Sequence, residues 1–165
     1  NSFLNYSAGN KVKKNLIKYS SKDTTENTKK ILDFFSKENI KDFSKSSVKN
    51  QDPIFVLGMP RSGSTLVDQI ISSHSKVDGT QELPNIIKIA AELNADNQSS
   101  YPDSLLHLEN SELSNLGKEY LEETKWARND APMFIDKMPN NFIHIGLIKT
   151  NISTRLSQRS ERAAS

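Results

Sequence analysis

The sequence predicts an α/β fold built on a parallel sheet, incomplete in this chain and preceded by a helical linker. Three observations carry that expectation. Ile54-Phe55-Val56-Leu57 is an unbroken apolar run with β-branched members, as in a strand buried on both faces of a parallel sheet. Gly58 ends the run, and after a turn over Met59–Gly63 apolar residues recur at Leu66, Val67, Ile70 and Ile71 with helical spacing. Short apolar runs then alternate with helical ones as far as Ile148, the rhythm of strands joined by helical crossovers.

Residues 1–50 are rich in Lys, Ser and Asn and read as a helical and linker region. Lys11–Tyr19 is weakly helical, and Asp23 or Thr24 is placed to cap a helix over Thr25–Lys37 with an apolar stripe of Ile31, Leu32, Phe34 and Phe35. Ser36–Lys49 reads as a solvated linker whose positive charges form a wet surface. Residues 51–150 carry the α/β unit. A helix over Ser64–Ser73 follows the first strand, with Ser64 or Thr65 near its cap. Lys76–Asp78 predicts a short second strand ending at Gly79. Leu83-Pro84 opens the next helix, with Pro84 in its first turn and Ile86, Ile87, Ala90 and Leu93 inward. Asn94–Asp103 reads as a loop, and Ser111–Trp126 as an amphipathic helix with Leu113, Leu116, Tyr120 and Leu121 on one face. Met133-Phe134-Ile135 is a short strand, and Phe142–Ile148 begins another helix. Residues 151–165 have few large apolar side chains and no strand run, and are expected to be a divergent, disordered tail.

Bulk properties narrow the function. A chain of 165 residues makes one domain at most, or a piece of one. Its 35% hydrophobic content is below the usual share of a globular domain, so part of it is expected to be unpacked or to pack on something else. The start at Asn1-Ser2-Phe3, without Met, points to a longer parent. No run approaches the roughly 18 apolar residues that cross a bilayer, and no basic-then-apolar leader is visible, so a cytoplasmic location without a membrane partner is the default. The lack of cysteine removes disulfides, thiolate nucleophiles and Cys-ligated zinc. His74, His107 and His144 are too widely spaced to suggest a metal site. A net charge of +2 does not indicate a nucleic-acid partner.

The chemistry concentrates in Gly58-Met59-Pro60-Arg61-Ser62-Gly63-Ser64-Thr65. Its two glycines have the G-x-x-x-x-G separation of a phosphate-cradling loop, whose backbone N–H groups converge on an anion in front of a helix N-terminus. Hydroxyls of Ser62, Ser64 and Thr65 add donors, and Arg61 brings a cation able to make a forked contact with a phosphate or sulfate. The plain alternative is a tight strand-to-helix turn with an ordinary serine cap. Ser64 stands where an ATPase or nucleotide kinase carries the Lys that reaches the β- and γ-phosphates, which weakens an NTP-hydrolysing reading without removing it.

The stretch Pro53–Leu83 resembles the sulfotransferase family, particularly the bacterial tetratricopeptide-repeat sulfotransferases related to protein-tyrosine sulfotransferases. The resemblance rests on the strand, on Pro60-Arg61-Ser62-Gly63-Ser64-Thr65-Leu66, on Ser73-His74 at the helix end, and on Gly79–Leu83. Ser64 replaces the commoner Thr, and Ser75 the usual Pro. Asp136-Lys137-Met138-Pro139 with Asn141-Phe142 matches a second family segment in the right order, and Tyr6–Phe35 carries a weaker likeness. The resemblance implies a P-loop NTPase-like, three-layer α/β/α architecture, of which this chain is the N-terminal part. It also implies sulfuryl transfer from 3′-phosphoadenosine-5′-phosphosulfate (PAPS) to an acceptor hydroxyl or amine of a peptide, carbohydrate or small molecule, without a metal. Carried over position by position, Arg61, Ser62, Gly63, Ser64 and Thr65 hold the phosphosulfate, Glu82 is the general base, and Lys137 and Arg61 stabilise charge. The family's next strand, and the Arg and Ser that bind the donor's 3′-phosphate, have no match after Ile148.

Each of these residues has a plainer role available. Glu82 suits a helix N-terminus, and Lys137 suits a surface position beside Asp136. Asn140 or Asn141 is placed to cap the following helix, His74 to bond a terminal carbonyl, and Trp126 to pack or anchor a surface. A non-catalytic anion-binding remnant therefore stands beside the nucleotide kinase as an alternative to the transferase.

Overall fold

The computed structural model describes residues 2–17, 19–36, 52–59, 61–95 and 99–151. Within them, strands β1 (Asp52–Phe55), β2 (Val77–Asp78) and β3 (Met133–Asp136) form a parallel sheet in the order β1-β3-β2. Asp52 pairs with Met133 and Phe55 with Asp136, while Val77 pairs with Met133 on the other side. The central strand is therefore β3, and its Phe134, Ile135 and Asp136 are buried. This corrects the expectation for Ile54–Leu57. That run contributes only Ile54 and Phe55 to a strand, and both are half-buried because β1 pairs with β3 alone among the described residues. A four-residue apolar run reports neither full burial nor how many neighbours the strand has.

Alternation along β3 feeds two clusters. Phe134 joins the larger one, with Leu83 and residues of helices α4 (Asn85–Ala95), α5 (Asn110–Glu123) and α6 (Ile145–Asn151). Ile135 joins a smaller one with Val56 and Val77, against which Ile71 of helix α3 (Ser64–Ser72) packs. Helix α4 begins one residue beyond Pro84 and buries Ile86, Ile89 and Ala90, whereas Ile87, expected inward, faces out. Glu112 closes the start of α5 by accepting the Glu109 N–H at 2.7 Å. That helix ends before Trp126, which lies in a 3₁₀ turn and is exposed. The helix expected from Phe142 arrives as a 3₁₀ turn over Pro139–His144 that leads into α6.

Two N-terminal helices precede the sheet, α1 (Ser2–Leu16) and α2 (Ser21–Ser36). No residue of α1 is buried. Helix α2 docks through Ile31 with Phe34 and Phe35, while Leu32 lies off the stripe and is exposed. Its cap is Ser20, whose hydroxyl accepts the Asp23 N–H at 3.2 Å, rather than Asp23 or Thr24. No described helix is long and apolar enough to cross a membrane. The expected linker over 37–49 and the tail over 152–165 lie outside the described residues.

Candidate functional site

The loop after β1 is bonded at its start to the last residue of β3 and to the segment that follows it. Val56 donates its N–H to the Asp136 carbonyl at 2.9 Å, and Gly58 donates to the Pro139 carbonyl at 3.4 Å. Inside the loop the Ser62 N–H returns to the Met59 carbonyl at 3.1 Å. Arg61 has φ 67° and Gly63 φ 89°, both left-handed. Glycine takes that conformation freely, but for Arg61 it costs on the order of 1–2 kcal/mol, and such strain concentrates where a loop must hold a shape. Gly63 is the N-cap of α3 and no side chain caps the helix, so Ser64 and Thr65 sit in its first turn instead of serving as the expected cap. The helix thus opens toward solvent with its positive end free of a side-chain acceptor.

A cleft of about 650 Å³ brings this loop together with the other strand ends. Arg61, Gly63, Ser64, Thr65, Leu66 and Gln69 form one wall, and Glu82 with Lys137–Asn140 forms the other. Each wall descends from the carboxyl end of a parallel strand, which is where open α/β sheets place their ligands. Lys137 donates to Glu82 Oε1 at 2.8 Å. The lysine side chain is 13% exposed and the glutamate 54%, so the ammonium is held at the floor and the carboxylate stands at the rim. Glu82 is therefore a partner for Lys137 and not a helix-terminal acid, since α4 starts three residues later.

The backbone beneath this pair is fixed. Thr80 donates its hydroxyl to the Ile135 carbonyl at 2.5 Å, and Leu83, next to Glu82, is fully buried. Asp136, next to Lys137, is fully buried as well and accepts the Tyr120 hydroxyl at 2.8 Å. Burial pushes its carboxyl up to about 6, although the Tyr120 bond works the other way. Tyr120 is pushed up too, mainly by burial and then by the Asp136 charge.

Of the residues expected at the site, Arg61, Gly63, Ser64, Thr65, Glu82 and Lys137 line the one cleft, and Ser62 does not. Asn140 lines it, while Asn141 is buried with neither amide atom partnered; neither side chain caps the following turn. The ring of His74 accepts the Lys76 N–H at 3.2 Å instead of bonding a helix carbonyl. Gln69 was not anticipated, though it stands four residues after Thr65 and so on the same helix face. No group of three or more His, Asp or Glu is arranged to hold a metal among the described residues.

A guanidinium, two hydroxyls and an uncapped helix start facing an ammonium and a carboxylate suit a multiply charged anion and a group that gives up a proton. The fold and this cleft define an α/β protein with a mixed-charge cleft at the carboxyl ends of its strands. The chain belongs to the sulfotransferase family, whose model matches residues 53–152. It is also similar to a protein of Aquifex aeolicus (strain VF5), described only as uncharacterized, with 31% identity over 145 residues. That match covers 84% of this chain and 19% of the relative, so the chain spans about a fifth of the relative's length. No solved structure matches the chain.

Proposed function

We propose that the protein of which these residues are part transfers a sulfuryl group from PAPS to an acceptor hydroxyl or amine. The observation that carries this reading is the convergence of the Arg61–Thr65 loop and the Glu82–Lys137 pair on one cleft. Residues 51–150 would then be the N-terminal part of a sulfotransferase domain of P-loop-like, three-layer architecture. Residues 1–50 would be a helical linker and 151–165 a divergent tail. The finer resemblance to tetratricopeptide-repeat and protein-tyrosine sulfotransferases belongs to the same proposal.

PAPS supplies an activated sulfuryl group on a phosphate leaving group. Arg61, the hydroxyls of Ser64 and Thr65, and the N–H groups at the start of α3 bind and orient such an anion; Ser62, whose N–H is bonded to the Met59 carbonyl and which does not line the cleft, shapes the loop instead. Lys137 holds a positive charge at the cleft floor, where negative charge on a departing oxygen is best countered. Glu82, whose Oε1 accepts from Lys137 at the rim of the cleft, is the group placed to take the acceptor's proton. The lack of a Lys after Gly63 separates this scheme from a nucleotide kinase, which needs that residue on its phosphates.

The test is calorimetric binding of adenosine 3′,5′-bisphosphate to the full-length protein, followed by transfer from labelled PAPS to a panel of hydroxyl and amine acceptors. Binding should weaken at least about tenfold in Arg61→Ala, a loss in line with removal of a charge-assisted hydrogen bond. Turnover should fall about 10²–10³-fold in Lys137→Ala. Absence of binding in the unsubstituted protein, or magnesium-dependent ATP hydrolysis in its place, would overturn the assignment.

A further inference from the structure

Asp136 is an expensive residue to keep where it is. It is fully buried, its carboxylate accepts from the Tyr120 hydroxyl with the Met138 backbone N–H beside it, and no cation pairs with it among the described residues. A buried carboxylate without a counter-charge is worse for stability than an apolar side chain of similar size. Its position explains what it does. The side chain is tied to α5 through Tyr120, the carbonyl is tied to the start of the anion loop through the Val56 N–H, and the next residue is Lys137. Tyr120 is itself immobile: it is fully buried, with its ring 5.8 Å from that of Phe55 and 6.4 Å from that of Phe134.

We infer that Asp136 and Tyr120 are positioning residues, whose hydrogen bond clamps the end of β3 so that Lys137 emerges at the cleft floor in register with the anion loop. Displacement of a charged group by even about 1 Å at a reacting centre costs rate steeply, which is the use of a rigid clamp under Lys137. The inference rests on the transferase reading only for its effect on turnover; the clamp on Lys137 is a property of the fold.

Two measurements on the full-length protein separate those parts. In the first, the rate at which limiting acetylating reagent modifies Lys137 is mapped by mass spectrometry. Tyr120→Phe, which removes one hydroxyl, should raise that rate at least about threefold as the ammonium leaves its fixed place. In the second, kcat for sulfuryl transfer should fall about tenfold in Tyr120→Phe and in Asp136→Ala with KM for the donor little changed. Asp136→Asn, which keeps an oxygen for the Tyr120 hydroxyl, should recover most of that loss. Unchanged Lys137 labelling or unchanged kcat in a folded Tyr120→Phe protein overturns the inference. An unsubstituted protein with no transfer activity brings down the transferase reading, and the labelling comparison then decides the clamp by itself.

Discussion

The helical body over Phe134 and the arm that carries the loop after β1 are built by opposite rules. In the body, α4 buries four residues, and Leu83, Ile86, Leu113, Tyr120 and Leu147 are each at most 1% exposed. In the arm, α3 buries none, and its Leu66, Val67 and Ile70 are 61%, 45% and 62% exposed. A small cluster of Val56, Val77 and Ile135, with Ile54, Ile71 and Met133 against it, gives the arm its core, and two backbone bonds from Val56 and Gly58 tie its loop to the rest. The loop's shape is therefore borrowed from β3, while its guanidinium and hydroxyls stay out of the core. Segments that bind are commonly held this way on a rigid scaffold.

The largest effect that tests this contrast belongs to the body. Phe134 is 1% exposed, carries the Arg128 guanidinium 4.4 Å from its ring centre, and sits at the middle of the large cluster. Phe134→Ala should cost about 3–5 kcal/mol, read as a shift of the urea midpoint at constant slope. A cost below about 1 kcal/mol would mean that the body does not carry the stability of the described residues.

The body was also the more legible part of the sequence. Helical spacing at Leu113, Leu116, Tyr120 and Leu121 and the run at Met133–Ile135 located α5 and β3, because local pattern and burial agree there. The glycine spacing located the loop, and motifs far apart along the chain picked out Arg61, Gly63, Ser64, Thr65, Glu82 and Lys137, which share one cleft. Three things were not. That β3 and not β1 is central depends on pairing, which no single run reveals. The Ser20 cap was hidden because Ser20, Ser21, Asp23 and Thr24 all compete for that role. The Tyr120–Asp136 bond joins positions that read separately as an apolar helix face and a strand end.

Asp136 stands at the junction of the two regions, and its titration sharpens the comparison. The folded state holds its proton up to about pH 6, whereas the unfolded chain releases it near the ordinary value of 3.8. Between those values the folded state binds more protons. The resulting stability is fully present below about pH 3.8 and is lost as pH rises through about 6. Raising a carboxyl over that range corresponds to on the order of 3 kcal/mol. Urea titrations of the parent and Asp136→Asn should thus show a stability difference that shifts in favour of the variant, by up to that amount, from about pH 3.5 to about pH 7. A difference that stays flat with pH would show that the junction carboxyl titrates as it does in water.

The smallest expected effect is the one that tests the arm directly. Leu66 sits on the first turn of α3, 61% exposed, with its side chain at the cleft wall beside Thr65 and Gln69. Truncating a buried leucine costs about 2–5 kcal/mol, but one that remains mostly in water has little area to lose, so Leu66→Ala should change stability by no more than about 0.5 kcal/mol. The same substitution leaves the Gly63 cap and the Arg61 conformation untouched, so anion binding should persist unless the leucine wall itself contacts the ligand. Measured on this 165-residue chain, a loss above about 2 kcal/mol would show that the exposed stripe of α3 is covered in solution. The arm would then be a second packed body and not a scaffolded loop carrier, and the contrast with the Phe134 body would disappear.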